Sequence, residues 1–191
     1  MNALSTHVDT LLGVLEHCSD MQVVGINGLD CAGKSTLAHS LQEACIQRDI
    51  DADLIHVDAF NNAVVQDKIY AAHASGQFAP ELMEEYYHSS IDYSVLFAAI
   101  EAEKLRDTSI IIVEGVFLFR PPVDSLLDYR VFLDVPAGVA KERYVRRKVQ
   151  VGDSRPVTVF DDIWLPAFER YCLEFAPKNL ADKVFIHPET E

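Results

Sequence analysis

Residues 21–41 read MQVVGINGLDCAGKSTLAHSL, and the order of residue types in this stretch decides the fold. An apolar run with the length of a buried strand comes first, at Val23, Val24 and Ile26. Apolar side chains at helical spacing come last, at Leu37, Ala38, Leu41 and Cys45. Between them, Gly28 to Ser35 has the spacing GxxxxGK[ST]. The stretch therefore predicts a strand, a glycine-containing loop and a helix in direct succession.

This loop has the composition of a phosphate-binding P-loop. Gly28 and Gly33 let the backbone approach an anion without a Cβ atom in the way, and the helix that follows carries a partial positive charge at its N-terminus. We expect Lys34 to reach the β- and γ-phosphates of a nucleotide and Ser35 to ligate Mg²⁺. The predicted nucleotide-binding residues are Gly28, Asp30, Cys31, Ala32, Gly33, Lys34, Ser35 and Thr36.

Cys31 is the unusual residue of the loop. A helix N-terminus lowers the pKa of a thiol, which raises the hypothesis that oxidation of Cys31 blocks nucleotide binding.

Asp58 follows a second predicted strand, ADLIHV at residues 52–57. Ligands of open parallel sheets gather at the C-terminal edge of the strands, which is also the edge of the P-loop. We expect the Asp58 carboxylate to lie across from Lys34, to orient an attacking hydroxyl and to accept its proton, with Phe60 as an apolar wall. The alternative is that Asp58 caps a helix.

Glu114 ends the most hydrophobic run of the chain, SIIIV at residues 109–113. An unbroken β-branched run is typical of a central parallel strand that is buried on both faces. A carboxylate at the tip of such a strand is in the Walker B position, where it would hold Mg²⁺ opposite Ser35. The predicted metal ligands are therefore Ser35 and Glu114.

The segment between Asp58 and this strand is about fifty residues long, far more than a minimal crossover needs. We expect it to build the site for an acceptor substrate, as an insertion at about residues 59–94. Helices are predicted at residues 66–75 and 91–105, with Pro80 at the start of another. Tyr86, Tyr87 and His88 are suited to stacking on a base and bonding sugar hydroxyls, although such residues at helical spacing are also typical of half-buried packing.

A basic helix follows the predicted fourth strand, YRVFLDV at residues 129–135. Arg143 and Arg147 are four residues apart and share one face of it, where they could clamp transferring phosphates or form a solvated basic surface.

The C-terminal part of the chain predicts a closing flap. Residues 151–157 are loop-like, and a helix over residues 160–175 is expected to be interrupted at Pro166. A lid at about residues 143–170 would exclude water during phosphoryl transfer. Residues 183–186 then form a fifth short strand, so we expect a single domain over residues 1–191.

Composition narrows the functional classes. The chain has 191 residues, 49% of them hydrophobic and 24% charged, and a formal net charge of -14, which argues against nucleic acid and anionic membranes as partners. There is no apolar run long enough to span a membrane and no basic, cleavable leader, so we expect a cytoplasmic protein. The four cysteines lack metal-ligand spacing and are expected to be reduced thiols.

Several segments together resemble the uridine kinase-like branch of P-loop kinases, which includes phosphoribulokinase and bacterial pantothenate kinase. The similar segments are GLDCAGKST, HVDAF, EYYHSSIDY, IIIVEGVFLF and YRVFLDVP, the arginine-rich helix, and the ending with Pro177, Ala181, Asp182 and Val184. The resemblance implies a P-loop three-layer α/β sandwich with five parallel strands in the order 2-3-1-4-5, helices on both faces and a helical lid. It also implies that Asp58 is the catalytic base.

The expected function is an ATP- and Mg²⁺-dependent kinase for a hydroxyl of a small metabolite, most simply a nucleoside such as uridine. Asp58, Lys34, Arg143 and Arg147 are its expected catalytic residues. The alternatives are a kinase for another small alcohol, such as pantothenate, a vitamin riboside or a sugar, and a nucleotide-binding switch or interaction protein without an acceptor. Because relatives often oligomerise, a homo-oligomer is also an open expectation.

Overall fold

The computed structural model describes residues 3–17, 22–106 and 110–187, so Cys18, Met21 and Ser109 lie outside the described residues. The helices within it are α1 (Ala3–His17), α2 (Lys34–Ile46), α3 (Ala63–Ala74), α4 (Pro80–Ser89), α5 (Tyr93–Lys104), α6 (Ala137–Val151), α7 (Leu165–Phe175) and α8 (Pro177–Leu180). The strands are β1 (Val23–Gly28), β2 (Ala52–His56), β3 (Ile110–Gly115), β4 (Tyr129–Asp134) and β5 (Lys183–Ile186).

The strands form one five-stranded parallel sheet in the order β2-β3-β1-β4-β5. Strand β1 is central: Val24 pairs with Ile112 of β3 on one side and with Tyr129 of β4 on the other. All residues of β1 and β3 are buried, as their unbroken apolar runs require. The predicted fold class and strand order are confirmed.

Helices cover both faces of the sheet because successive strand residues point to opposite sides. On one face, Val24 and Ile112 pack in a cluster with the buried stripes of α1 and α2. On the other face, Val23 and Ile111 pack with residues from α4, α5, α6 and α7. This leaves the C-terminal edge of the strands for the site. In the described parts of the chain, no helix is both long enough and apolar enough to cross a membrane.

Two helices of the 59–94 region begin where a polar side chain caps them. Helix α3 starts three residues before its predicted position, because Asn62 accepts a hydrogen bond from the backbone N–H of Val65 at 3.3 Å. Helix α5 starts two residues late, because Asp92 accepts from the backbone N–H groups of Ser94 and Val95.

The helix predicted to break at Pro166 does not break there. A π-helical turn at Phe160–Trp164 runs directly into α7, and the Leu165 N–H bonds the Phe160 carbonyl five residues back. Proline has no N–H group to donate to the carbonyl four residues back. The wider π turn just before Pro166 lets the helix continue without that hydrogen bond. The expected interruption was wrong for this reason.

The predicted lid spans two kinds of structure. Its first part is the C-terminal half of α6, which ends at the left-handed Gly152, and the loop that follows. Its second part belongs to the core: Phe160 and Ile163 are fully buried and Ala167 nearly so. Closure of a lid over residues 143–170 therefore stays a prediction, and the second part of that range is packed in the core.

Candidate active site

The P-loop of the structure connects β1 to α2 with a tightly fixed backbone. The side-chain oxygen of the buried Asn27 accepts a hydrogen bond from the Gly28 N–H at 2.8 Å. A Cβ atom on Gly28 would lie 2.9 Å from the Leu133 carbonyl oxygen, and Gly33 has a φ of 104°, in the region that favours glycine. Both motif glycines are thus required by geometry.

Lys34 opens helix α2 and is buried inside the loop. Its ammonium group donates to the Leu29 carbonyl at 2.9 Å, which holds the charge within the concave side of the loop. Arg143 of α6 approaches from the other side and donates to the Ala32 carbonyl at 2.9 Å. The structure therefore brings two cations and a helix N-terminus together, which is an arrangement suited to phosphate.

Glu114, at the C-terminal end of β3, is a buried carboxylate at the entrance of this loop. Its Oε1 atom accepts a hydrogen bond from the Ser35 hydroxyl at 2.9 Å, so the two predicted metal ligands are neighbours. It also lies 2.6 Å from Nδ1 of His56, a residue that sequence reasoning did not select. His56 and Glu114 are register partners in β2 and β3, so the parallel pairing of the two predicted strands would have found this contact.

Two cavities open beside the loop. The larger has a volume of about 660 Å³ and is lined by the P-loop, Glu114, Arg143 and parts of α1 and β5. The smaller has a volume of about 300 Å³ and lies among α3, α4, α6 and the π turn. The residues that line both cavities are Asp30, Cys31, Asp58 and Arg147. These four side chains therefore separate the two cavities and can contact a ligand in either one.

Asp58 lies in a 3₁₀ turn, Val57–Phe60, directly after β2. The cap position of this turn is His56 and that of α3 is Asn62, so the alternative reading of Asp58 as a helix cap is not what the structure shows. Asp58 instead faces both cavities.

The four shared side chains form a junction with opposing charges. Burial raises the pKa of Asp30, the Lys34 ammonium opposes this shift, and the Asp58 carboxylate adds to it. Burial also raises the pKa of the Cys31 thiol, with Asp30 as the next cause, against the smaller opposite effects of Arg147 and Lys34. The expected lowering of the Cys31 pKa by the helix N-terminus is therefore outweighed by desolvation.

The predicted acceptor residues separate in the structure. Tyr86 lines the smaller cavity. Phe60 packs against the core and is not among the residues that line either cavity. Tyr87 is 1% exposed, and its hydroxyl donates to Glu174 at 2.7 Å. His88 faces outward, with its Nε2 atom 3.6 Å from Glu84. Tyr87 and His88 are thus not brought to either cavity.

Other residues complete the wall of the smaller cavity. The Trp164 indole N–H donates to the Tyr70 hydroxyl at 3.1 Å, and the Arg155 guanidinium lies 4.9 Å from the centre of the Trp164 ring and 5.1 Å from that of Tyr70. Asp153 fixes this guanidinium through hydrogen bonds of 2.7 and 3.0 Å. Sequence reasoning missed this corner because Tyr70 lies more than eighty positions before Arg155 and Trp164; the single tryptophan of the chain was the available signal.

Among the described residues, no group of three or more histidine, cysteine or acidic side chains could hold a metal ion by itself. Mg²⁺ in phosphoryl-transfer sites is held by one or two protein oxygens together with substrate phosphates. The Ser35 and Glu114 pair has this composition, because a buried carboxylate oxygen faces a hydroxyl.

The chain has known relatives, although no protein-family model matches it. The chain is 29% identical over 168 residues to nicotinamide riboside kinase 2 of Mus musculus, covering 78% of each protein, and 26% identical over 159 residues to nicotinamide riboside kinase 1 of Homo sapiens, covering 78% of this chain and 75% of that one.

The fold is likewise similar to known structures. A protein of Bacillus stearothermophilus described as a possible uridine kinase superposes with a TM-score of 0.68 at 23% identity, over 95% of this chain and 98% of that one.

Proposed function

We propose that this chain, a uridine kinase-like P-loop kinase by fold and by resemblance, transfers the γ-phosphoryl group of ATP to a hydroxyl of a nucleoside-like metabolite. The observation that carries the proposal is the junction of the two cavities at Asp58 and Arg147. A phosphate seat on one side and a polar and aromatic cavity on the other are what a donor and an acceptor need for direct transfer.

The larger cavity would bind the donor. The backbone of the P-loop and the N-terminus of α2 would hold the phosphates, while Lys34 and Arg143 neutralise their charge. Ser35 and Glu114 would hold Mg²⁺. The metal ion, when bound, supplies positive charge that stabilises the negative charge developing on the phosphate oxygens.

We propose that Asp58 accepts the proton of the acceptor hydroxyl, since it borders both cavities. Arg147 lines the same junction and would stabilise charge on the group in transfer.

The lining of the smaller cavity favours a ring that carries hydroxyl groups. Tyr70, Tyr86 and Trp164 supply aromatic surface, and the amides of Asn61 and Gln66 supply hydrogen bonds. The names of the two relatives, both nicotinamide riboside kinases, favour a vitamin riboside as a candidate beside uridine. Pantothenate and simple sugars remain the alternatives within the same reaction class. We further propose that the enzyme is cytoplasmic and acts on small molecules.

The test is ATP consumption in the presence of Mg²⁺ with uridine, nicotinamide riboside, pantothenate and sugars, beside a control without acceptor. We expect strong stimulation by one riboside and little turnover in the control. ATP binding without stimulation by any acceptor would overturn the proposal and favour a nucleotide-binding switch or interaction protein.

A further inference from the structure

The N-terminal helix α1 contributes to the larger cavity, although the chemistry proposed above does not use it. Ala3, Leu4 and His7 of its first two turns line the cavity together with Phe185 and Ile186 of β5. The buried stripe of α1, Val8, Leu11, Leu12 and Leu15, continues along the same side of the helix, because Leu4 and Val8 are four residues apart, as are His7 and Leu11. The later turns thus anchor the helix in the core, and its first two turns border the cavity.

His7 and Phe185 form an aromatic pair at this end of the cavity. Their ring centroids are 4.0 Å apart and the ring planes differ by 21°, which is a stacked arrangement. Burial and the nearby Lys183 ammonium both lower the pKa of His7, so its ring is neutral near physiological pH. The Lys183 ammonium itself lies 5.5 Å from the centre of the Phe185 ring.

This aromatic pair is separated from the phosphate seat by the width of the sheet between β1 and β5. Strand β5 is two positions away from β1, which corresponds to about 10 Å across the strands. The acidic residues among the described lining of the cavity are Asp30, Asp58 and Glu114, and all three belong to the phosphate end or its junction. The described lining of the α1 end is therefore apolar and aromatic, with the Lys183 ammonium nearby, whereas the lining of the loop end is charged.

We infer that α1 completes a nucleobase site, in which His7 and Phe185 provide the stacking wall for the base of the nucleotide whose phosphates the P-loop holds. The inference rests on the proposed function, because it assigns the second end of the same nucleotide. The inference gives helix α1, which contributes none of the proposed catalytic groups, a role in binding the base. Base binding at this end is by stacking and apolar contact.

The experiment compares a ligand with a base and one without it. Binding of Mg·ATP and of Mg·tripolyphosphate to the full chain, without acceptor, is measured by calorimetry for the wild type and for His7→Ala. Stacking of a base on an aromatic side chain corresponds to a loss of about 5- to 150-fold in affinity when the ring is removed. We expect that loss for Mg·ATP and less than a twofold change for Mg·tripolyphosphate.

Two further variants sharpen the result. His17→Ala removes the same ring from the exposed last turn of α1, where its Nδ1 atom bonds the Gly13 carbonyl, and is expected to bind both ligands as the wild type does. His7→Phe keeps an aromatic face and is expected to restore Mg·ATP affinity.

Three outcomes would overturn the inference. If His7→Ala only lowers the melting temperature and leaves both affinities unchanged, the His7 and Phe185 pair is helix packing. Equal weakening of both ligands would place the effect in the P-loop. If the wild type binds neither ligand, the proposed function itself fails. This result is distinguishable from the first two outcomes, in which the wild type does bind.

Discussion

Asp58 is the side chain on which the proposed chemistry depends most directly. It lies at the end of β2, in a turn whose cap is another residue, and it borders both cavities. Its carboxylate is therefore available to an acceptor hydroxyl.

Replacing Asp58 by Asn keeps the shape of the side chain but removes the base. We expect kcat to fall by about 10²- to 10⁴-fold, while the Kd of Mg·ATP changes only a few-fold. Steady-state kinetics and calorimetry check this. Asp67→Asn makes the same chemical change on the exposed face of α3 and should leave both quantities unchanged. If Asp58→Asn loses ATP binding as strongly as turnover, Asp58 is a structural residue.

The Cys31 thiol should be slow to react, although it precedes a helix N-terminus. Its pKa is raised, mainly by burial, so the fraction present as thiolate at pH 7.5 is smaller than for an ordinary thiol, and this fraction increases as the pH rises. We expect alkylation by iodoacetamide to be slower than that of glutathione at pH 7.5, and faster towards pH 9.5. Peptide mass spectrometry measures the rate. Fast labelling that is independent of pH would show that the loop stabilises the thiolate.

The sequence could identify Asp58 but could not separate Tyr86 from Tyr87. The position of Asp58 follows from a strand that ends before it, which is a local pattern. Adjacent residues of a helix, however, point about 100° apart, and tertiary packing decides which one faces the site. In α4 the result is that Tyr86 lines the cavity and Tyr87 is buried against Phe117 and Arg120.

Helix α7 is tied to the strand that carries the P-loop through one buried hydroxyl. The Tyr171 hydroxyl accepts hydrogen bonds from the Asn27 side-chain amide at 2.6 Å and from the Phe119 backbone N–H at 3.0 Å. Asn27 in turn fixes the Gly28 N–H at the start of the loop.

Tyr171→Phe would leave two buried donors without an acceptor. We expect the free energy of unfolding to fall by about 1–3 kcal/mol, because a buried donor left unpaired loses its solvation without compensation. The matched control is Tyr144→Phe, since the buried Tyr144 hydroxyl has no hydrogen-bond partner among the described residues, and this change should be close to neutral. Urea unfolding with equal m-values provides the comparison. Equal destabilisation by the two variants would contradict this account of the Tyr171 network.

The elements themselves were largely predictable, whereas their contacts were not. Apolar runs mark β1 and β3 because a strand buried on both faces can contain little else. The corner formed by Tyr70, Arg155 and Trp164 depends on how a helix of the 59–94 region meets the π turn, and no local pattern encodes that meeting. The helix interruption expected at Pro166 was wrong for a related reason, since the π turn before Pro166 accommodates the proline.

Binding of the donor Mg·ATP should raise the thermal stability of the whole molecule. A ligand at a concentration one hundred times its Kd stabilises the native state by about 2.7 kcal/mol. For a chain of this size we expect Mg·ATP to raise Tm by about 5–10 °C. Lys34→Ala should melt near the wild-type temperature without nucleotide and lose most of this shift. Equal shifts in the two proteins, measured by differential scanning calorimetry, would place nucleotide binding elsewhere.

The two cavities share one wall, made by Asp30, Cys31, Asp58 and Arg147. A single molecule that joins a nucleotide to an acceptor through a chain of phosphates would therefore occupy both cavities at once. Its second half would bind at the effective concentration set by the linker, which strengthens binding by a factor of about 10² or more when the linker length matches the gap. Because of this shared wall, we expect bisubstrate inhibitors to bind the protein more tightly than either half alone.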